Sequence, residues 1–552
     1  MEDNAAALDT VQNAIRALGR GFDVNCDTRL LYCKGVGGSR VIEVDEDHTR
    51  DLPVFGDLVV PNVPRDVRCS QGSTKRVSTA ICSFHEMAEY FNRKALLSGH
   101  VPLGSFNSAF SHTGSMEIDA SATKSLAMDG IFISLCEIQL VKYPFSLQEE
   151  VKRAVPLSWD PSSLASFIKN HGTHVVTSVT VGGKDVIYVK QQTSSPLSVL
   201  DIKNYIRDLG DQRFSDNEVS TAPGPLKLKE KDVTVIFRRQ GGDELVQSHR
   251  DWTRTAHRIP DVIEMGFYPI TCLLDGIPGK DHLIRAISLY LEHKPPIEEL
   301  RYFLEFQIPR VWAPVRSDLP GLQRKEPVCP FLQFSMMGEK LYVSQEQVLA
   351  GRRPVTGLRL SLEGTKENRL CIQAQHLVSL PRILVPHWDA HIATGAPKWL
   401  GPEEQDSRWF EPVKWKNFSH VSTAPVGNNE TSIGDLAGAH IVTGAQLGVW
   451  NFGAKNVLFM KLLYLKVPGC SVRRSFWDHS SENPPARERG DSSAQSSSSK
   501  DAKTGLSRFV DLSEMSKGPQ DPPGHWVVTG AKLGVDKKGK ITLRVKYSLL
   551  NF

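Results

Sequence analysis

"SFIKNHGTHVVTSVTVGGKDVIYVKQ", residues 166–191, is the stretch from which the fold is read. From Thr173 to Gln191 β-branched and aromatic residues dominate and proline is absent, which predicts one long extended run. Gly182 and Gly183 interrupt it. Glycine weakens strand pairing but permits a bulge or a close approach, so this pair is where a sheet would bend. At the mouth of the run stand Gly172, Thr173 and His174. His171 and His174 would share a face only on a helix, and the surrounding Val and Thr residues favour a strand, which points them to opposite sides.

Working outward, "IFISLCEIQLVKY" at residues 131–143 predicts a second strand, and "VTVIFRRQGG" from Val233 to Gly242 predicts another that ends on Gly241-Gly242. Between Ser194 and Lys231, Ile202, Tyr205, Ile206 and Leu209 fall at i, i+3, i+4 and i+7, the spacing of a short amphipathic helix. Residues from about Phe84 to Met128 are rich in Ser, His, Gly and other small residues, and read as neither continuous strand nor ordinary core helix. The opening segment carries Val11, Ala14, Ile15 and Leu18 on one face and stops at Gly19, as a helix docked on a larger body would. Helical periodicity returns in "DHLIRAISLYLEH" and after Pro295-Pro296, where the prolines suit a helix start.

A chain of 552 residues is too long for one core. The first body is expected over residues 1–330 and a second over 331–552. The second announces itself by repetition: Val355-Thr356-Gly357, Val442-Thr443-Gly444 and Val528-Thr529-Gly530 recur at spacings of 87 and 86 residues. Each is preceded by a strand-like piece ("KLYVS", "NFSHVS", "RFVDLS") and followed by an alternating strand through Ile372, Ala374 and His376, through Met460, Leu462 and Tyr464, or through Leu543, Val545 and Tyr547. Three such units predict an all-β domain of quasi-threefold form. The Ser-, Pro- and charge-rich stretch at about residues 478–505 is expected to be a disordered loop within it.

Lys and Arg exceed Asp and Glu by only four, so the chain has no global pull toward nucleic acid. Nine cysteines lie scattered with no CxxC pair, which speaks against both a zinc site and a disulfide framework. "HEMAE" at His85 lacks the second imidazole of a zinc protease, and the glycine-rich "GVGGS" and "GIPGKD" have neither P-loop nor dinucleotide spacing. No nucleophile elbow is present. The chain is therefore expected to be non-enzymatic, without cofactor or metal. With no secretory leader and no apolar window of membrane-spanning length, it is expected in the cytoplasm.

"NHGTHVV" carries a resemblance to the signature of the membrane attack complex/perforin (MACPF) superfamily, which centres on an aromatic residue followed by Gly-Thr-His. His171 replaces the aromatic residue here and Val175 follows where another is common. The glycine pair in "FRRQGGDELVQSHRDW" agrees with the family's sheet bend. The segments "LGRGFDVNCDTRLLYCKG", "FYPITCLLDGIPG", "KPPIEELRYFLEFQIPRVWAPV" and "RPVTGLRLSLEG" resemble the plant MACPF proteins named for constitutively activated cell death and necrotic spotted lesions, over nearly the whole chain.

The resemblance implies an α+β fold: a bent, twisted four-stranded antiparallel sheet with two flanking helical clusters, here Phe84–Met128 and Ser194–Lys231, followed by the threefold β domain. Gly172, Thr173 and His174 would then be structural. Pore-forming relatives unwind both clusters into membrane hairpins, which makes Phe106, Phe110, Ile202, Tyr205, Ile206 and Leu209 the candidate insertion residues. A membrane strand needs about ten residues with apolar side chains at alternate positions. Asp208, Asp211, Arg213, Asp216 and Glu218 occupy both parities, so charge would face lipid. By resemblance the chain would negatively regulate salicylic acid-mediated cell death and plant immunity, through membrane binding or pore formation, peripheral to the plasma membrane. Membrane lipid and copies of itself are the partners implied. The other expectation is a lipid-, glycan- or protein-binding module in which the β domain does the binding, through tryptophans such as Trp388, Trp399, Trp409, Trp450 and Trp477, and the MACPF body is an inert scaffold.

Overall fold

The computed structural model describes all residues except 1–4, 142, 215–231, 244, 247, 314–340, 352, 365–366, 383, 389–396, 403–405, 414, 416–417, 428–437, 479–505, 516–523 and 552. The loop expected at residues 478–505 lies, after Asp478, outside the described residues. The chain divides into two compact units, Met1–Leu304 and Glu305–Phe552. The division falls before the boundary expected near Pro330, which is itself outside the described residues; Arg310–Trp312 already pairs as a strand with Gln375–Leu377 of the second unit.

Helix α1 (Ala5–Ala17) buries Val11, Ala14 and Ile15, and the chain leaves it through Leu18 and a left-handed Gly19. The sheet of the first unit contains β1 (Gly21–Phe22), β2 (Val67–Gln71) and β3 (Thr74–Ser78). Its two long members are β4 (Thr123–Leu140) and β5 (His174–Gln192), and β6 (Val233–Gln240) and β7 (Asp261–Pro269) complete it. β4 and β5 run antiparallel along nearly their whole length. Towards one end the order is β3-β4-β5-β6, towards the other β2-β4-β5-β7. Each half is four strands wide.

The junction of the halves is marked in every strand. The outer edges change strand between Gln71 and Thr74 and between Gln240 and Asp261; β4 is bulged between Ser134 and Cys136, directly across from Gly182 and Gly183 of β5. A Cβ on Gly182 would sit 1.9 Å from the Ile133 carbonyl oxygen, so the strands approach there only because glycine has none. The bent four-stranded sheet implied by the resemblance is present.

The two clusters connect neighbouring strands. α2 (Phe84–Lys94), α3 (Gly104–Phe110) and α4 (Met116–Ala122) join β3 to β4, and α5 (Pro161–His171) leads into β5. α6 (Val199–Phe214) lies between β5 and β6, and α7 (His249–Thr255) fills the gap between β6 and β7. The first cluster ends at Ala122 rather than at Met128: Thr123–Met128 continue β4, where strand pairing with Val189, Lys190 and Gln191 fixes them.

In the second unit each repeat contributes a long antiparallel pair: Val355–Glu363 with Arg369–Leu377, Ala439–Phe452 with Lys455–Val467, and Trp526–Val535 with Ile541–Asn551. The register shifts once in each pair, between Val355 and Gly357, Val442 and Gly444, and Val528 and Gly530. The motif threonine is the extra residue of a β-bulge each time. Thr356 and Thr443 donate to the carbonyls of Gln375 and Leu463 (both 3.4 Å), and Thr529 Oγ1 lies 2.5 Å from Ser548 Oγ. The inward residues Ile372, Ala374, Met460, Leu462, Tyr464, Leu543, Val545 and Tyr547 share one core. The three sheets also exchange edge strands cyclically. Val348–Leu349 pairs with the second sheet, Val426–Gly427 with the third, and Met515 bridges to Leu358 of the first.

Candidate functional site: two helical clusters on one sheet

The Gly-Thr-His triplet fastens the N-terminal segment to the core strand. Gly172 has φ +76°, and a Cβ there would lie 2.5 Å from the Phe22 carbonyl oxygen. Only glycine fits. Thr173 donates its backbone N–H (2.9 Å) and its hydroxyl (3.3 Å) to that same carbonyl, and its hydroxyl oxygen accepts from Val24 N–H at 3.4 Å. His174 Nδ1 is 2.9 Å from Thr173 Oγ1, and burial pushes the imidazole down to about 4. His174 is thus a neutral, enclosed imidazole resting on the Thr173 hydroxyl. His171 lies on α5 with its ring 4.8 Å from Phe167, and no catalytic partner accompanies it among the described residues.

Gly182, Gly183, Gly241 and Gly242 meet at the bend around a single indole. Trp252 of α7 is fully buried and donates its Nε1–H to the Gly241 carbonyl at 2.7 Å. A Cβ on Gly242 would lie 2.5 Å from that nitrogen, one on Gly183 3.2 Å from the ring, and one on Gly241 2.4 Å from the Gly182 carbonyl oxygen. The four glycines leave the space that Trp252 and the crossing backbone occupy.

The clusters lie on opposite faces of the sheet. Met128 and Tyr188 pack into the core that holds Phe84, Phe106 and Phe110, whereas Ala127, Ile187 and Val189 pack with Ile202 and Ile206. Successive strand residues alternate faces, so each cluster covers one side of the same two strands. Phe106 and Phe110 are 0% exposed; their rings lie 5.5 Å apart, and Phe110 meets Tyr188 edge-on at 5.2 Å. The first cluster is held mainly by aromatic packing.

The second is held differently. Ile202 and Ile206 are buried, while Tyr205 and Leu209 are half-buried. Two of the charges that sequence reading would place in lipid, Asp211 and Arg213, are instead tied to the sheet. Asp185 of β5 has 0% of its side chain exposed and accepts from Arg213 of α6 (2.7 and 2.9 Å), from Arg239 of β6 (2.9 Å) and faces His249 Nδ1 of α7 (3.0 Å). Burial alone would raise this carboxyl; hydrogen bonds from His249, Arg213 and Arg239, with the charge of Arg213, outweigh it and hold it below the ordinary carboxylate range. Arg76 of β3 spans two carboxylates, the buried Asp129 of β4 (2.6 Å) and Asp211 of α6 (2.8 Å). Its guanidinium is correspondingly raised, first by the Asp129 hydrogen bond. Asp216 and Glu218 lie outside the described residues.

Sequence reading missed Asp129, Asp185, Arg76, Arg239, His249 and Trp252. Two signals pointed to some of them: an aspartate inside each of the long apolar strands, where an unpaired charge would be costly. Of the tryptophans, Trp409 is 42% exposed and Trp399, Trp450 and Trp477 are half-buried; the Trp388 side chain lies outside what is described.

The family model described as MAC/Perforin domain matches residues 10–300. The chain is 60% identical over 550 residues to the MACPF domain-containing protein CAD1 of Arabidopsis thaliana, covering 99% of this chain and 97% of that one. It is 40% identical over 603 residues to the MACPF domain-containing protein NSL1 of the same plant, covering 99% and 97%. Among solved structures, GNIP1Aa from Chromobacterium piscinae is similar with 11% identity and a TM-score of 0.37, over 84% of this chain and 85% of that one.

Proposed function

The chain belongs to the MAC/Perforin family, among its plant members, and from that premise we propose that it is a non-enzymatic, membrane-associating protein that negatively regulates salicylic acid-mediated cell death and immunity. Membrane association is supported by the family, and the observation that speaks against perforation is the attachment of α6. Its Asp211 and Arg213 are bound into the ion-pair network of Asp129 and Asp185. Unwinding α6 would break those pairs and carry Asp208, Asp211 and Arg213 toward lipid, at about 2–4 kcal/mol for an arginine at the midplane.

Pore formation is the second reading, and one observation favours it. Each cluster joins two adjacent antiparallel strands, β3 to β4 and β5 to β6, so unwinding either would lengthen an existing hairpin. No helix of the described residues is long and apolar enough to cross a membrane. Sedimentation with liposomes and release of trapped dye separate the two: binding without leakage supports the first reading, leakage the second. The regulatory part rests on the resemblance to the plant proteins. Silencing the chain in its own plant is expected to produce spontaneous lesions that vanish when salicylic acid is enzymatically degraded. Lesions that persist without salicylic acid would contradict it.

A further inference from the structure

The threefold domain contains its own internal comparison. In each sheet a tryptophan on an added strand stands beside the same rung of the repeat. Trp312 pairs with Gln375, which pairs with motif Gly357. Trp399 pairs with Leu463 and thence Gly444, and Trp477 with Lys546 and thence Gly530. These rungs alternate with the inward residues of the shared core, so the tryptophans lie on the outer faces.

Two residues after each motif glycine the outer face carries Arg359, Gln446 or Lys532. In the first sheet Arg359 stacks on Trp312 (4.1 Å), donates to Gln373 (2.7 Å) and pairs with Glu514. In the second, Gln446 donates to the Gln345 carbonyl at 2.7 Å. Both positions are satisfied within the chain. In the third, Lys532 stands over Trp477 at 5.3 Å and is directly opposite Arg544, with Lys546 on the next rung. Among the described residues, none of these three cations has a carboxylate at ion-pairing distance. The hairpin at the end of this sheet adds exposed Lys537 and Lys538. In that hairpin Asp536 accepts the backbone N–H groups of Lys538 and Lys540, and beside it Asp511 pairs with Lys540; Asp478, next to Trp477, stands on the rung of the inward Val545.

We infer that the outer face of the third sheet, centred on Trp477, Lys532, Arg544 and Lys546, docks on the headgroups of an anionic phospholipid surface. The charge is complementary, and clustered Lys and Arg beside an amphipathic indole is the combination that holds a protein at a headgroup layer. A protein partner would ask for an apolar centre to its interface, and here Trp477 shares its rung with Lys546 and Gly530 and has the Lys532–Arg544 rung beside it. The inference deepens the proposed membrane association and rests on it.

The test uses the full chain and vesicles of phosphatidylcholine, alone or with about a third phosphatidylserine. The chain should sediment with the anionic vesicles and be released by salt. Lys532→Gln/Arg544→Gln/Lys546→Gln should weaken binding at least ~10-fold, since each cation near such a surface contributes roughly fivefold. The charge-matched variant Arg65→Gln/Arg68→Gln/Lys75→Gln should bind normally. Trp477→Ala should weaken binding and its repeat equivalent Trp399→Ala should not. An unchanged melting temperature establishes that each variant is folded. Full binding by the folded triple variant, or an equal loss in the matched control, would overturn the assignment of this face. Displacement by millimolar inorganic phosphate, or a preference for polyglutamate over vesicles, would overturn the choice of a lipid surface. Failure of the intact chain to bind either vesicle would overturn the membrane reading itself.

Discussion

Arg213, in the last turn of α6, donates through Nε and Nη2 to Asp185 Oδ1 at 2.9 and 2.7 Å, joining a helix of the second cluster to a carboxylate buried in the central strand. Asp185 also receives Arg239, so the carboxylate is not orphaned when Arg213 leaves. Arg213→Ala is therefore expected to cost about 1–3 kcal/mol, less than the 3–5 typical of an unshared buried pair. Asp185→Asn should cost more, because two guanidiniums lose one counter-charge. Urea unfolding gives the magnitudes, and limited proteolysis should show α6 cut earlier in Arg213→Ala. Unchanged stability in both variants would mean that the pair does not hold the helix.

Gly172→Ala is expected to destabilise the first unit by at least ~2 kcal/mol, combining a left-handed backbone with a clash against the Phe22 carbonyl. Thr173→Val should cost about 1–2 kcal/mol, because the Val24 N–H and the Phe22 carbonyl lose a partner. A drop in unfolding midpoint with secondary structure retained is the expected result. Wild-type midpoints for both would remove the structural role of the triplet.

Trp252→Ala should be the most damaging single truncation near the bend, at about 3–5 kcal/mol, since it empties a fully buried site and leaves the Gly241 carbonyl without its donor. Filling the cavity with indole should restore part of the melting temperature. Loss of less than about 1 kcal/mol would show that the four glycines do not depend on that ring.

Acid should loosen the first unit from pH 6.5 downward. Burial holds folded His174 at about 4, below the 6.5 of an unfolded histidine, so between those values only the unfolded chain takes up the proton. Stability is therefore lost on acidification, by about 1.4 kcal/mol per pH unit for this group. His112 behaves alike, lowered to about 4 by burial and then by Lys190, with Asp119 opposing. Asp185, held low, adds its loss only below the ordinary carboxylate range. Urea midpoints compared at pH 7.5 and 5 should fall more steeply in the wild type than in His174→Gln. Equal slopes would contradict the assignment.

Much of this architecture is written in local sequence. The opening helix, the long strand after Thr173, α6 and the three Val-Thr-Gly repeats follow from periodicity and recurrence, and the sheet bend from two glycine pairs. What periodicity does not carry is pairing at a distance. Thr123–Met128 look like the preceding cluster until Gln191 and its neighbours are known to lie alongside. Asp185 and Arg213 stand 28 residues apart, one on a strand and one at the end of α6, so neither reads as half of a pair. Trp252 hides in a short helix between β6 and β7. The repeat motif was legible as a motif, but the bulge that its threonine forms appears only in the register.

The most direct measurement is dye release from phosphatidylserine-containing liposomes by the intact chain, run beside sedimentation of the same vesicles. The account predicts that the protein sediments with the vesicles while the dye stays inside, because the helices of both clusters remain on the sheet. Rapid, protein-dependent release would contradict it and establish that the clusters unwind despite the Asp185 and Arg76 ties.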